Sequence, residues 1–319
     1  MPKIFVTRQI PEVGINLLEE KGWDVSVGPE GSISREDLLE GVKGVDAILS
    51  VLTEKIDGEV MDAAGSQLKI VANYAVGYNN IDVEEAKKRG VVVTNTPGVL
   101  TDTVADHAVG LILAVAQRIA EADKYTRAGK YKAWGPKLFL GGDIKGKTLG
   151  IVGLGRIGFA VAERLMKGFE MKVIYYDIKR NEELEKEHNI EYREINDLLK
   201  EADFVSLHTA LTDETKHLIN AERLELMKPT AYLVNTSRGP IIDEKALVEV
   251  LKNKGIAGAA LDVFENEPEL SPGLIELDNA ILTPHIASAT IGTRNKMSEM
   301  AAQNIIASLE GQTPSNLVE

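Results

Sequence analysis

Apolar runs of strand length alternate with segments of helical period along most of this chain. That pattern predicts an α/β fold with parallel sheets. Lys3-Ile4-Phe5-Val6-Thr7 reads as a strand, followed by a helix near Glu12 to Lys21 and a strand from Trp23 to Val27. Asp46 to Ser50, Leu68 to Ala72 and Val91 to Thr94 extend this first unit. Asn95-Thr96-Pro97-Gly98 reads as a hinge. Beyond it Val104, Ala108, Leu111, Ile112, Val115 and Ile119 keep helical spacing. They predict one long helix from about Thr101 to Gly129, with Thr101 or Asp102 as N-cap. Lys130 to Gly142 is irregular and carries Tyr131, Trp134, Pro136 and Phe139, a composition suited to packing on a partner.

A second series of strands begins at Thr148 to Val152 and Lys172 to Tyr176. It continues through Ala231 to Asn235, Ala257 to Leu261 and Ala280 to Thr283, and a last helix spans about Thr290 to Glu310. The two series read as two related doubly wound parallel-sheet domains.

Composition narrows the class. A length of 319 residues suits two domains, and 44% apolar with 27% charged residues is the balance of a globular protein. With no cysteine, disulfides and thiolate chemistry are excluded. No apolar run reaches the ~18 residues of a membrane span. The start, Met1 to Val6, leads into a strand without an export-signal pattern, so the expected compartment is the cytoplasm. A net charge of −13 argues against nucleic acid and anionic membranes as partners. An anionic substrate would need positive charge concentrated locally.

Only the second series carries a phosphate-binding signature. Gly153-Leu154-Gly155-Arg156-Ile157-Gly158 lies between a predicted strand and a predicted helix, and Asp177 ends the next strand, 19 positions beyond Gly158. In that context the motif is a dinucleotide fingerprint. Gly153 permits the tight turn, Gly155 the approach of a pyrophosphate, and Gly158 close helix–strand packing; the helix N-terminus offers its amides. Asp177 suits the ribose hydroxyls of NAD(H), which is favoured. Lys179 and Arg180 follow closely and keep NADP(H) open.

Three late strands lead into residues of catalytic type. Arg238 follows Asn235, Glu267 follows Asp262, and His285 follows Thr283. In an open parallel sheet such strand ends converge on the ligand. Reducing a 2-oxo acid needs a proton donor, which a histidine supplies. A carboxylate on the other ring nitrogen favours the imidazolium form. A guanidinium binds the substrate carboxylate through two parallel hydrogen bonds. Of the other histidines, His107 falls on the apolar face of the long helix, His188 on a solvated face, and His217 reads as structural.

With these segments the chain resembles the D-2-hydroxyacid dehydrogenase family over essentially its whole length, and within it is most similar to glyoxylate/hydroxypyruvate reductases. The resemblance runs through Gly153 to Gly158, Thr236-Ser237-Arg238-Gly239, Ala260 to Phe264 with Glu267-Pro268, and Thr283-Pro284-His285-Ile286. It also includes Val76 to Asp82 and Asn95 to Thr101. It implies acid/base work at His285, support from Glu267, and substrate orientation by Arg238. It implies substrate contacts at Leu52, Val76 and Gly77. It also implies cofactor contacts at Thr103, Ile178, Lys179, His208, Thr209, Thr236, Ser237 and Asp262, in addition to the glycine loop. The implied organisation is a substrate-binding domain of residues 1–98 plus 287–319, flavodoxin-like, with a Rossmann-like domain of residues 99–286 inserted. A homodimer built on the long helix and the arm is implied as well. One departure is Ala210, where the family usually has proline. The competing readings are a D-3-phosphoglycerate dehydrogenase or another family member, and a non-enzymatic NAD(H)-sensing corepressor.

Overall fold

The computed structural model describes residues 1–318. The chain forms two compact units, Met1–Leu100 together with residues from Ser288 onward, and Thr101–Ala287.

The first unit holds five parallel strands, β1 (Lys3–Val6), β2 (Asp24–Val27), β3 (Ala47–Ser50), β4 (Ile70–Asn73) and β5 (Val92–Thr94). Their order is β2-β1-β3-β4-β5. β3 and β4 are buried at every residue, as expected of parallel strands covered on both faces. The last helix, Ile291–Leu309, packs against Glu12–Glu19. Its Ser298 hydroxyl donates to Pro11 O and accepts from Gly14 N. The chain then returns to the sheet, where Leu317 bridges Thr94 antiparallel and Val318 N–H donates to Val93 O. That return covers an edge that would otherwise be exposed.

The second unit holds seven parallel strands, β6 (Thr148–Val152), β7 (Lys172–Tyr176), β8 (Glu191–Tyr192), β9 (Phe204–Leu207), β10 (Tyr232–Asn235), β11 (Gly258–Leu261) and β12 (Ala280–Leu282). The order is β12-β11-β10-β9-β6-β7-β8, so strand order reverses between β9 and β6. Side chains alternate between two cores. Leu149, Ile151 and Phe204 face one side, and Val152, Val205 and Leu207 face the other. Register fixes the site. Val152 pairs with Tyr176 and Leu207, Leu207 with Asn235, Asn235 with Leu261, and Leu261 with Leu282. Six strands therefore end level, and the residues after each emerge along one edge.

The long helix expected from Thr101 to Gly129 is two helices, Thr101–Ala116 and Ile119–Arg127, bent by 64°. Arg118 adopts a left-handed conformation at φ 55°. Its guanidinium reaches both oxygens of Glu121, approaches Leu140 O and lies over the Phe139 ring. Gln117 donates to Gly142 O. These tertiary contacts compensate the broken ladder, and no glycine or proline marks the break. Two histidines also differ from expectation. His188 is half-buried, its ring 4.7 Å from that of Phe159. His107 also has polar partners, with Nε2 3.5 Å from Asp262 Oδ1 and 3.4 Å from Thr283 Oγ1. Among the described residues no single helix is long and apolar enough to cross a membrane.

Candidate active site

The glycine loop has the geometry its spacing demands. Gly153 follows β6 at φ 95°, and a Cβ there would sit 2.8 Å from the carbonyl carbon of His208. Gly155 caps the helix Arg156–Phe169 without a side-chain hydrogen bond, and a Cβ there meets nothing within 4 Å. A Cβ on Gly158 would lie 2.1 Å from Gly153 O, so only glycine lets this helix start so close to its strand. The first-turn amides of Arg156, Ile157 and Gly158 have no partner within the helix.

Asp177 follows β7. One carboxylate oxygen accepts from Leu154 N–H at 2.8 Å, tying the acid to the glycine loop. Ile178 is 92% exposed beside it. Arg180 is already engaged. It donates to both oxygens of Glu185 at 2.8 and 2.7 Å and lies over the Tyr192 ring. The Tyr175 hydroxyl joins this cluster, donating to Glu185 and accepting from Asn181 N–H. Burial first, with Glu185 beside it, pushes that hydroxyl up to about 12.

His208 and Thr209 follow β9, with Ala210 next. Burial pushes the His208 imidazole down to about 3, and its Nε2 lies 2.8 Å from Ser206 Oγ. The Thr209 and Thr236 hydroxyls are buried without a hydrogen-bond partner in the protein. Buried polar atoms call for a partner. An open glycine-capped helix start, an acid at the next strand end and two unpartnered hydroxyls fit a bound dinucleotide. Thr103 lies in the first turn of Thr101–Ala116.

Beyond β10, buried Asn235 shapes the turn. Its Oδ1 accepts from Ser237 N–H and Oγ–H, and its Nδ2 donates to Arg238 O. Arg238 is half-buried. Burial lowers its pKa, and the charge of Glu267 opposes that shift. Glu267 Oε2 lies 2.9 Å from His285 Nδ1, and its Oε1 accepts from Phe264 N–H. Burial alone would raise the Glu267 carboxyl. The hydrogen bond and charge of His285, the Phe264 amide and Arg238 outweigh burial and hold it below the ordinary range.

His285 stands at φ 56°, and the acid before it in the fold is the reason. Asp262 is fully buried. Its Oδ1 accepts from the Thr283 hydroxyl at 2.6 Å and Ile286 N–H at 2.9 Å, and its Oδ2 from Ala287 N–H at 2.8 Å. Asp262 O accepts from His285 N–H. The carboxylate therefore brackets His285 rather than projecting away from its own loop. Burial would raise it, but His107, Thr283 and the two amides keep it low. Arg238, Glu267 and His285, far apart in sequence, are thus brought to one sheet edge.

Leu52, Val76 and Gly77 belong to the other unit, after β3 and β4. Asparagine amides that the sequence reading passed over fix their loop. Asn95 donates to Val76 O, Asn73 to Gly77 O, and Asn80 to Val51 O.

Comparison with known proteins places the fold in a family. Residues 109–287 match the model of the D-isomer specific 2-hydroxyacid dehydrogenase, NAD binding domain. The chain belongs to the D-isomer specific 2-hydroxyacid dehydrogenase family. It is 55% identical to a glyoxylate reductase of Pyrococcus horikoshii, over 99% of this chain and 96% of that protein. It superposes on the TT0316 protein of Thermus thermophilus with a TM-score of 0.94 at 44% identity, covering 99% of this chain and 100% of that one. An NADPH-dependent glyoxylate/hydroxypyruvate reductase of Sinorhizobium meliloti gives 0.84 at 33% identity, covering 100% and 97%.

Proposed function

We propose that this chain reduces glyoxylate, and hydroxypyruvate as a close analogue, to the 2-hydroxy acid, with NADH as the preferred reductant. The Glu267–His285 hydrogen bond beside Arg238, on the edge that carries the glycine loop, is the observation that supports this reading most. Near-identical length and 55% identity to a glyoxylate reductase support the choice of substrate.

The nicotinamide ring supplies the hydride when bound. The first-turn amides of Arg156, Ile157 and Gly158 would hold the pyrophosphate. Asp177 would take the ribose hydroxyls, and Ile178 and Lys179 would complete that end of the cofactor site. Thr103, His208, Thr209, Thr236 and Ser237 would line the remainder, with fully buried Asp262 supporting the loop behind them. Arg238 grips the substrate carboxylate and polarises the carbonyl. Leu52, Val76 and Gly77 are assigned to the substrate on family likeness. Glu267 on Nδ1 leaves Nε2 of His285 to deliver the proton to the developing alkoxide. Arg238 supplies local positive charge that an anionic substrate needs on a protein of net −13.

NADH is favoured over NADPH for two reasons. The Asp177 charge repels a 2′-phosphate, and Arg180 is held by Glu185 and Tyr192. A homodimer is proposed through the arm, where Trp134 is 79% and Leu140 66% exposed.

The test is loss of NADH absorbance on addition of glyoxylate or hydroxypyruvate, repeated with NADPH. Turnover of both acids with a higher kcat/KM for NADH is expected. Tight NADH binding without turnover of any 2-oxo acid would instead make the chain a nucleotide sensor.

A further inference from the structure

Glu244 is a buried carboxylate that the proposed chemistry does not use. It stands first in the helix Glu244–Lys252, and only 3% of it is exposed. Its Oε2 accepts from Glu265 N–H at 3.0 Å, and its Oε1 from Ser271 N–H at 2.7 Å. In return Glu244 N–H donates to Glu265 Oε2 at 3.1 Å. Glu265 is held from its other oxygen by His217 Nε2 at 2.7 Å. One carboxylate therefore pins both ends of the segment 265–271, and Glu267 lies between the pins.

Residues 266–269 between the pins are exposed, and their backbone turns on itself. Glu269 N–H donates to Asn266 O, closing a tight turn around Glu267. On its other side Gly239, the residue after Arg238, abuts the segment. A Cβ there would lie 1.9 Å from the carbonyl carbon and oxygen of Phe264. Two part-buried amides converge on one buried carboxylate as charge-assisted hydrogen bonds, and removing either acceptor leaves a donor short of its partner.

We infer that Glu244 is a positioning residue, whose clamp on segment 265–271 sets the Glu267 carboxylate against His285 Nδ1. This rests on the acid/base reading of Glu267 and His285 given above.

A double-mutant cycle tests it, using the intact chain and Glu244→Gln, Glu267→Gln and the pair. Glu244→Gln keeps the side-chain volume and one acceptor, but turns an amide donor toward a backbone donor. Glu267→Gln alone is expected to lower kcat about 100-fold, at the low end of a general acid–base contribution. Glu244→Gln is expected to lower kcat about 10-fold in the parent protein, but less than about 2-fold in the Glu267→Gln background, because residues that act through one hydrogen-bonded segment do not add. The Kd for NADH should stay within about 2-fold in all four proteins, since the glycine loop is separate. Glu265→Ala, which releases the reciprocal half of the clamp, should show the same non-additivity and carries the cycle if Glu244→Gln does not fold. Equal losses in both backgrounds, unchanged kcat, or loss of NADH binding together with kcat would overturn the inference. Full kcat in Glu267→Gln would instead overturn the acid/base reading itself.

Discussion

At the scale of single residues, the site is a set of carboxylates with different tasks. Glu267 touches His285 and is held below its ordinary pKa by it. Asp262 brackets the backbone around His285. Removing the imidazole by His285→Asn is expected to lower kcat by about 100- to 10,000-fold with the NADH Kd unchanged, as measured by stopped-flow turnover and fluorescence titration. His208 makes a prediction about stability. Its folded pKa is depressed to about 3, against an unfolded value near 6.5. The unfolded chain binds the proton first, so its contribution is fully present above about pH 6.5 and erodes as pH falls toward 3. Asp262 and Glu267, also depressed, lose theirs below about pH 4, so the two effects separate. His208→Gln should keep about 4–8 °C more of its Tm than the parent between pH 7 and pH 5, since about 2 kcal/mol is at stake there. Equal Tm losses in scanning calorimetry would show that His208 is not the group that titrates.

At the scale of elements, glycines and helix starts control what the strand ends can do. The approach of Gly158 to Gly153 O leaves no room for a methyl group. Gly158→Ala is expected to destabilise the unit by about 1–3 kcal/mol by overpacking and to weaken NADH binding more than it alters any residual chemical step. Calorimetric titration with NADH measures this directly. The glycine loop was legible in the sequence because a backbone at φ 95° and a sub-van-der-Waals approach are local demands that glycine meets best. Arg238, Glu267 and His285 were legible because each follows a strand, and parallel register delivers strand ends to one edge. The break at Arg118 was not legible. Ala116-Gln117-Arg118-Ile119 contains only residues that helices accept, and the side-chain partners that hold the break lie 3 to 25 positions away.

At the scale of the whole molecule, the arm after that break leaves the second unit with exposed apolar side chains. Ile119, Tyr131, Trp134 and Leu140 are all more than half exposed, and the helix Ile119–Arg127 buries none of its residues. Tyr131→Ser with Trp134→Ser should shift the proposed dimer toward monomer in sedimentation velocity, with little change in the circular dichroism of the chain. An unchanged sedimentation coefficient would remove the arm from the interface. Apolar patches of this kind on a protein of net −13 suit association by burial rather than by charge.

By itself the sequence determined the parallel α/β architecture, and it singled out the glycine loop and the side chains proposed to react. Each of these is written in short-range terms, as apolar runs buried on both faces, glycines where the backbone requires them, and polar residues at strand ends. Only the tertiary structure decided which polar side chains become internal fasteners. Glu244 sits in Asp243-Glu244-Lys245, Asn235 ends an apolar strand, and Asp262 resembles any acid after a strand. Their burial comes from amides contributed by segments 2 to 27 positions away. A carboxylate becomes a clamp only when packing removes its water and supplies those donors together, and no neighbour in the chain records that event.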